Sequence, residues 1–395
     1  DQPRSRGLGD VYKRQILYLF LACTTAMTLH LIKIFMNKIF LILEILIFQC
    51  TINMAQVPTL LPDYPIAKGV SAPFAGFIKN WLIVGGGCNF PTIPAAEGGK
   101  KAYYNQCYAL DIHATSPRWK RISDLPCSVA YGCSVETPQG LVCIGGMNAD
   151  SCLTSVFRIQ KDSSSEDFLI YQLPSLPETI DNASATMLNE CIYITGGNQQ
   201  LRQNALYKLD LQTCDRWQKL SSFPGPQRIQ PILVNDGKKL YLIGGFQAPS
   251  DSSASILSHD ILCYTPQTDK WEYDSHIPYQ GNKEKRCMAG GSGVQTDTHL
   301  ILTGGVNYHI FKNALDGKAG KDYLTHAPSW YKFNNDILFY DFIHKTWTIK
   351  TNISGMARAG GILLHHKNYL YMICGEIKPG IRTPKITVYP LKEEE

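Results

Sequence analysis

LYLIGG at 240–245 runs four apolar residues into a glycine pair. A short apolar run rich in β-branched and aromatic residues and bounded by glycine reads as a buried strand delivered to a tight turn. The pattern recurs as LIVGGG (82–87), LVCIGG (141–146), IYITGG (192–197) and LILTGG (300–305), with the variant LYMICG at 370–375. Counted at 86, 145, 196, 244, 304 and 374, the first position of each pair recurs after 59, 51, 48, 60 and 70 residues. Six units of this spacing mark a repeat architecture.

The units continue alike. A further strand ends in Asp, as in CYALD (107–111), LYKLD (206–210) and ILFYD (337–341); a turn follows, and then Trp119, Trp217, Trp271 or Trp347. An apolar-Pro step comes next, at Leu125-Pro126, Leu176-Pro177, Phe223-Pro224 and Ile277-Pro278, often with an arginine before the next apolar strand. Tyr171 stands where the second unit's tryptophan is expected, and the fifth unit carries an insertion within 307–334. These features resemble kelch repeats and predict an all-β fold, a six-bladed kelch-type β-propeller in which each blade is a four-stranded antiparallel sheet. After Arg382 only one strand remains, at 385–391, so the sixth blade lacks its outer strand. The stretch LLPDYP at 60–65 is the candidate to supply it, closing the ring by pairing the N-terminal strand with the last blade and removing open edges.

The propeller is assigned to 56–395. From Met36 the chain reads MNKIFLILEILIFQCTINMAQ, a basic start, an apolar core interrupted by Glu44, and Asn53-Met54-Ala55. This resembles a secretory signal over 36–55. Its apolar run falls short of the ~20 residues a membrane span needs. Residues 1–35 precede a plausible initiator and are read as upstream or non-native sequence. Of 38 Lys and Arg and 33 Asp and Glu, the first 56 residues hold six and three, leaving 32 against 30. So even a balance has no footprint for nucleic acid. Of 13 cysteines, 11 follow Cys50 without a CxxC pair, and several stand inside apolar strands. They indicate neither a disulfide framework nor a zinc site and read as small buried hydrophobes.

In such a blade the innermost strand runs antiparallel to the strand that ends in the glycine pair. The start of one and the end of the other therefore share one face of the ring. Arg228, Arg286 and Arg358 precede three inner strands; Asn89, Asn148, Asn198, Gln247 and Asn307 follow glycine pairs, and Glu376 follows the sixth. Guanidiniums and amides around one mouth suit an acidic sugar, recognised by bidentate anion contacts and neutral hydrogen bonds. Each also has an architectural reading, the arginines as ties between blades and the amides as tight-turn residues. Glu376 stands apart as the lone acid among amides, with Lys378 or Arg382 as its candidate ion-pair partner.

GEIKPGIRT (375–383) resembles the N-acetylneuraminate epimerase family, the sialic-acid mutarotases, together with GVSAPFAGFIKNWLIVGGGCNFP (69–91), GGKKAYYNQCYALD (98–111) and AYGCSVETPQGLVCIGGMN (130–148). In typical members the GExKPGxRT segment lies mid-chain, whereas here it lies near the C-terminus, an order that resembles the cyclically permuted members. A closed ring tolerates the change because sequence neighbours stay neighbours across the seam. The resemblance implies a periplasmic protein that interconverts the α and β anomers of N-acetylneuraminate without a cofactor. It assigns general-base duty to Glu376 and places Arg382 near the substrate, so these two are the catalytic candidates. Arg228, Arg286, Arg358, Asn89, Asn148 and Asn198 are the substrate-binding candidates, and Phe74, Phe90, Tyr131 and Tyr308 are aromatic groups that either cover the sugar or pack. The expected partner is a small acidic sugar, with no nucleic acid and no membrane for the mature chain; a homodimer is left open.

Two other readings compete. A non-catalytic kelch module binding carbohydrate or protein needs no lone acid. A copper radical oxidase needs paired histidines with Tyr and Cys, and His365 and His366, adjacent on one strand, point to opposite faces. No metal is expected.

Overall fold

The computed structural model describes residues 60–281 and 283–391, preceded by Lys33 and residues 35–39, which are helical. Apart from those few positions, the leader expected at 36–55 and the segment 1–35 lie outside the described residues. In the first blade the strands Phe74–Ile78, Trp81–Gly85, Cys107–Asp111 and Trp119–Arg121 pair antiparallel in chain order. Four further four-stranded sheets repeat the pattern, with inner strands Cys133–Thr137, Ser184–Leu188, Ile232–Asn235 and Arg286–Gln295. The sixth sheet has three strands, Ile362–His366, Tyr369–Ile373 and Ile386–Pro390. Each inner strand lies beside those of its two neighbours, and the circle closes between Ile362–His366 and Phe74–Ile78. The fold is the six-bladed propeller that the repeat predicts.

The apolar runs form strands buried on both faces because neighbouring blades cover them from either side. Every residue of Gly140–Ile144 and of Cys191–Thr195 is buried. Val142 and Ile144 of the second blade pack in one cluster with Ile192, Ile194 and Tyr207 of the third. The repeat tryptophans have a cross-blade task. Trp217 Nε1 donates to the Pro174 carbonyl at 2.8 Å and Trp271 Nε1 to the Ser221 carbonyl at 2.9 Å, each reaching back to the preceding blade. An indole buried in a seam needs such an acceptor.

The seam between last and first blades is closed by the stretch 60–65. Leu60 forms an antiparallel bridge with Thr387, and the Tyr64 N–H donates to the Pro384 carbonyl at 2.9 Å. Tyr64 packs edge-on against Tyr108 and Trp119 of the first blade, with centroids 5.5 Å apart in each case. Trp119 Nε1 in turn donates to the Pro62 carbonyl at 3.1 Å. The closure is thus one bridge, a backbone hydrogen bond and a set of side-chain contacts rather than a full fourth strand. The eleven described cysteines are all unpaired thiols, eight of them buried.

The second glycine of a pair is demanded by backbone conformation and by space. Gly197 has φ +73°, and a Cβ there would stand 2.2 Å from the Asp181 carbonyl oxygen. Gly197→Ala is expected to cost at least about 2 kcal/mol, from left-handed strain and the clash together. A lower urea midpoint at unchanged m-value checks this.

The channel mouth carries a second, less obvious register. Ala72, Tyr131, Asn182, Gln230, Gly290 and Gly360 each occupy the same place in their blade at the start of the inner strand, and all six are left-handed, with φ between 51° and 68°. The N–H of Tyr131 donates to the Ala72 carbonyl (3.0 Å), Asn182 to Tyr131 (2.8 Å), Gln230 to Asn182 (2.8 Å), Gly360 to Gly290 (2.7 Å) and Ala72 to Gly360 (2.6 Å). Backbone hydrogen bonds therefore span five of the blade junctions around the mouth. One arc of this circle carries large polar side chains and the other only hydrogen or methyl.

Candidate functional site

Glu376–Lys378 and Ile381–Arg382 form a two-stranded hairpin whose register sets Glu376 opposite Arg382. Pro379-Gly380 makes the turn, with Gly380 at φ +82°, as a Pro-Gly turn requires. The six-residue spacing of acid and guanidinium is thus a cross-strand pairing, and Arg382 Nη2 lies 2.6 Å from Glu376 Oε1. The hairpin is anchored by a reciprocal backbone pair, Glu376 N–H to the Ala359 carbonyl (2.7 Å) and Ala359 N–H to the Glu376 carbonyl (3.0 Å).

Glu376 faces a cavity of about 380 Å³. Tyr131, Gln230 and Gly360 of the left-handed circle form part of its lining. The fifth-blade insertion forms another part: the helix Tyr308–Leu315 contributes Ile310, Phe311, Ala314 and Leu315, and the segment after it contributes Tyr323, Tyr331 and Phe333. Asn307 caps this helix, its side chain accepting from the N–H groups of His309 and Ile310. Lys378 ties insertion to hairpin by donating to the carbonyls of His326 (2.6 Å) and Leu324 (3.2 Å). The acid therefore meets a largely apolar enclosure.

Burial pushes the Glu376 carboxyl up from its ordinary range, and the Arg382 and Lys101 cations oppose the shift. Its side chain remains 20% exposed. Arg382, only 3% exposed in its side chain, stacks its guanidinium 4.7 Å over the Phe90 ring. Its Nε and Nη1 have no hydrogen-bond partner. Buried donors are rarely left unpaired, and two such nitrogens set this guanidinium apart from those of Arg228 and Arg286, each with Nε alone unpaired. Lys101, whose charge acts on the acid, donates from Nζ to the Tyr131 hydroxyl at 2.9 Å.

The other expected site residues are placed elsewhere. Arg228 donates to Asp260 Oδ2 (2.7 Å) and to the Gly244 and Asp260 carbonyls. Arg286 donates to Asn334 Oδ1 and Asp336 Oδ2, both at 2.7 Å. Arg358 donates to the carbonyls of Met372, Cys374 and Lys385 and to the Thr387 hydroxyl; burial lowers it to about 10. All three are corrected from substrate contacts to ties within single blades: Arg228 and Arg358 bind groups at the second and third strands of their own sheet, and Arg286 binds Asn334 and Asp336 at the start of its third.

The amides are corrected likewise. Asn89 donates to the carbonyls of Ala67 and Gly69 and accepts from the Tyr104 hydroxyl. Asn148 Oδ1 accepts from the N–H groups of Asp150 and Ser151 in a tight turn. Asn198 Nδ2 donates to Asp181 Oδ1 at 2.8 Å. Phe74 packs edge-on against Phe157 inside the seam, Phe90 lies under Arg382, and Tyr308 begins the insertion helix. Gln230, Gly360 and the insertion's apolar groups went unread. Aligning the six units on the residue before Pro73, Gly132, Ala183, Pro231, Gly291 and Gly361 would have found the circle.

A family model described as N-acetylneuraminate epimerase matches residues 173–395. The protein of that name from Salmonella typhi is 30% identical over 227 residues, 54% of this chain and 57% of that protein. The one from Yersinia enterocolitica is 28% identical over 228 residues, covering 54% and 56%. The chain thus spans little more than half the length of these curated relatives. The solved structure of YjhT shares the fold, with a TM-score of 0.60 at 17% identity over 85% of this chain and 98% of that one.

Proposed function

Because this chain belongs to the N-acetylneuraminate epimerase family, we propose that it interconverts the α and β anomers of N-acetylneuraminate by opening and reclosing the sugar ring. The observation that carries this reading is the pairing of Glu376, a carboxyl raised by burial at the cavity wall, with Arg382, whose Nε and Nη1 are unpartnered.

Ring opening needs a base for the anomeric hydroxyl, and a carboxyl raised toward the working pH takes and returns a proton well. The substrate carboxylate stands on the anomeric carbon, so an anion anchor must lie beside the base. Arg382 is that anchor, and its guanidinium offers the planar geometry a carboxylate accepts. The apolar groups of the insertion keep water from the open keto acid and strengthen the charge contacts.

Exchange NMR on two sugars tests the reading. Catalytic protein is expected to accelerate anomer exchange of N-acetylneuraminate and to leave N-acetylglucosamine, which has the acetamido group and no carboxylate, at its buffer rate. Equal acceleration of both would remove Arg382 from the recognition of substrate. We place the mature protein in the periplasm, on the support of the basic, apolar and small-residue pattern of 36–55.

A further inference from the structure

Ring opening has a second requirement that Glu376 does not meet. As the bond from anomeric carbon to ring oxygen breaks, that oxygen gains an electron pair and needs a proton. Tyr131 lines the same cavity as Glu376, from another blade. Its left-handed backbone, φ 60°, is rare for a bulky side chain. Beyond Ala72 on the circle, Gly360 lines the same cavity.

The surroundings of its hydroxyl decide what the phenol can do. Lys101 Nζ donates into the oxygen at 2.9 Å, and the Cys88 thiol lies 3.4 Å away. An ammonium has donors only, so Lys101 takes no proton from the phenol and stabilises the oxygen as it loses one. The thiol is a weak partner. The O–H proton is therefore free for an oxygen arriving in the cavity. Burial holds the phenol well above its ordinary pKa, so it is protonated at neutral pH. The charged or titratable groups facing it are Lys101, Cys88, Glu376 and Arg382.

We propose that Tyr131 is the general acid of the reaction, protonating the ring oxygen as Glu376 deprotonates the anomeric hydroxyl, with Lys101 positioning and polarising it. Glu376 takes the hydroxyl proton and the anomeric carbon becomes a carbonyl. The carbon–oxygen ring bond breaks, its electron pair goes to the ring oxygen, and that oxygen takes the Tyr131 proton. The open keto acid turns its carbonyl over. The tyrosinate then removes the proton from the attacking hydroxyl, and Glu376 returns its own to the new anomeric oxygen. Both groups end as they began.

This inference rests on the anomer-exchange reading of the site, and exchange NMR with N-acetylneuraminate as probe separates the two. Wild type is expected to accelerate exchange, and Tyr131→Phe to lose on the order of 10²-fold in kcat with KM and melting temperature held. Wild-type acceleration with Tyr131→Phe retaining its kcat would overturn the role of Tyr131 and leave the functional reading standing. No acceleration by wild type would overturn both. Lys101→Met is the second variant, should Tyr131→Phe fold poorly. It is expected to lower kcat, with Lys101→Arg recovering most of the loss, and full kcat in Lys101→Met would also overturn the proposal.

Discussion

Glu376→Gln is expected to slow anomer exchange by about 10²–10⁴-fold while sugar binding persists. The amide keeps the shape of the carboxyl and an oxygen for Arg382 Nη2, but it has no affinity for the anomeric proton. The loss should fall on kcat with KM little changed, and titration calorimetry on the variant should still show sugar bound. The same substitution has a signature in stability. Burial holds the folded-state pKa of Glu376 above its ordinary 4.5, so the folded protein keeps this proton more tightly than the unfolded chain. Stability from the group is fully present below pH 4.5 and is lost as pH rises through the folded value. Urea unfolding from about pH 4 to about pH 8 should therefore show Glu376→Gln gaining on wild type as pH rises.

Arg286→Met is expected to destabilise the fold by about 3–5 kcal/mol, because it leaves Asp336 buried and without its cation. The pair is enclosed, with side chains 4% and 8% exposed and 2.7 Å between Nη2 and Oδ2. Urea midpoints measure the loss. Activity per folded molecule should be unchanged, since this guanidinium ties the fifth blade together and does not reach the cavity. A raised KM with little change in stability would instead return Arg286 to the substrate.

The repeat was legible because its determinants are local. An apolar run ending in a glycine pair recurs in five units and as Cys-Gly in the sixth, four units add a tryptophan, and the structure uses these for strand, turn and cross-blade hydrogen bond. The partner of Glu376 was legible down to two candidates, Lys378 and Arg382; the Pro-Gly turn sets the register that selects Arg382. The three blade arginines were misplaced because sequence position sets where a side chain starts and not where its long stem ends. Their acceptors come from distant strands, Asp260 for Arg228, Asp336 for Arg286 and the Lys385 carbonyl for Arg358. Of the asparagines after the glycine pairs, Asn148 follows tight-turn chemistry, while Asn89 and Asn198 reach acceptors in other segments, the carbonyls of Ala67 and Gly69 and the Asp181 carboxylate. The insertion was seen only as extra length, and its apolar lining of the cavity depends on packing against Phe246, 60 residues or so upstream in the chain. The left-handed circle left a trace only in the small residue or proline that follows it, too weak to read in any one blade.

The most direct measurement is two-dimensional exchange NMR on an equilibrium mixture of N-acetylneuraminate anomers, with and without substoichiometric wild-type protein near neutral pH. Cross-peaks between the anomers that grow with protein concentration are the predicted result. Exchange no faster than in buffer, from folded protein that binds the sugar, would contradict catalysis at Glu376 and make the cavity a binding site alone.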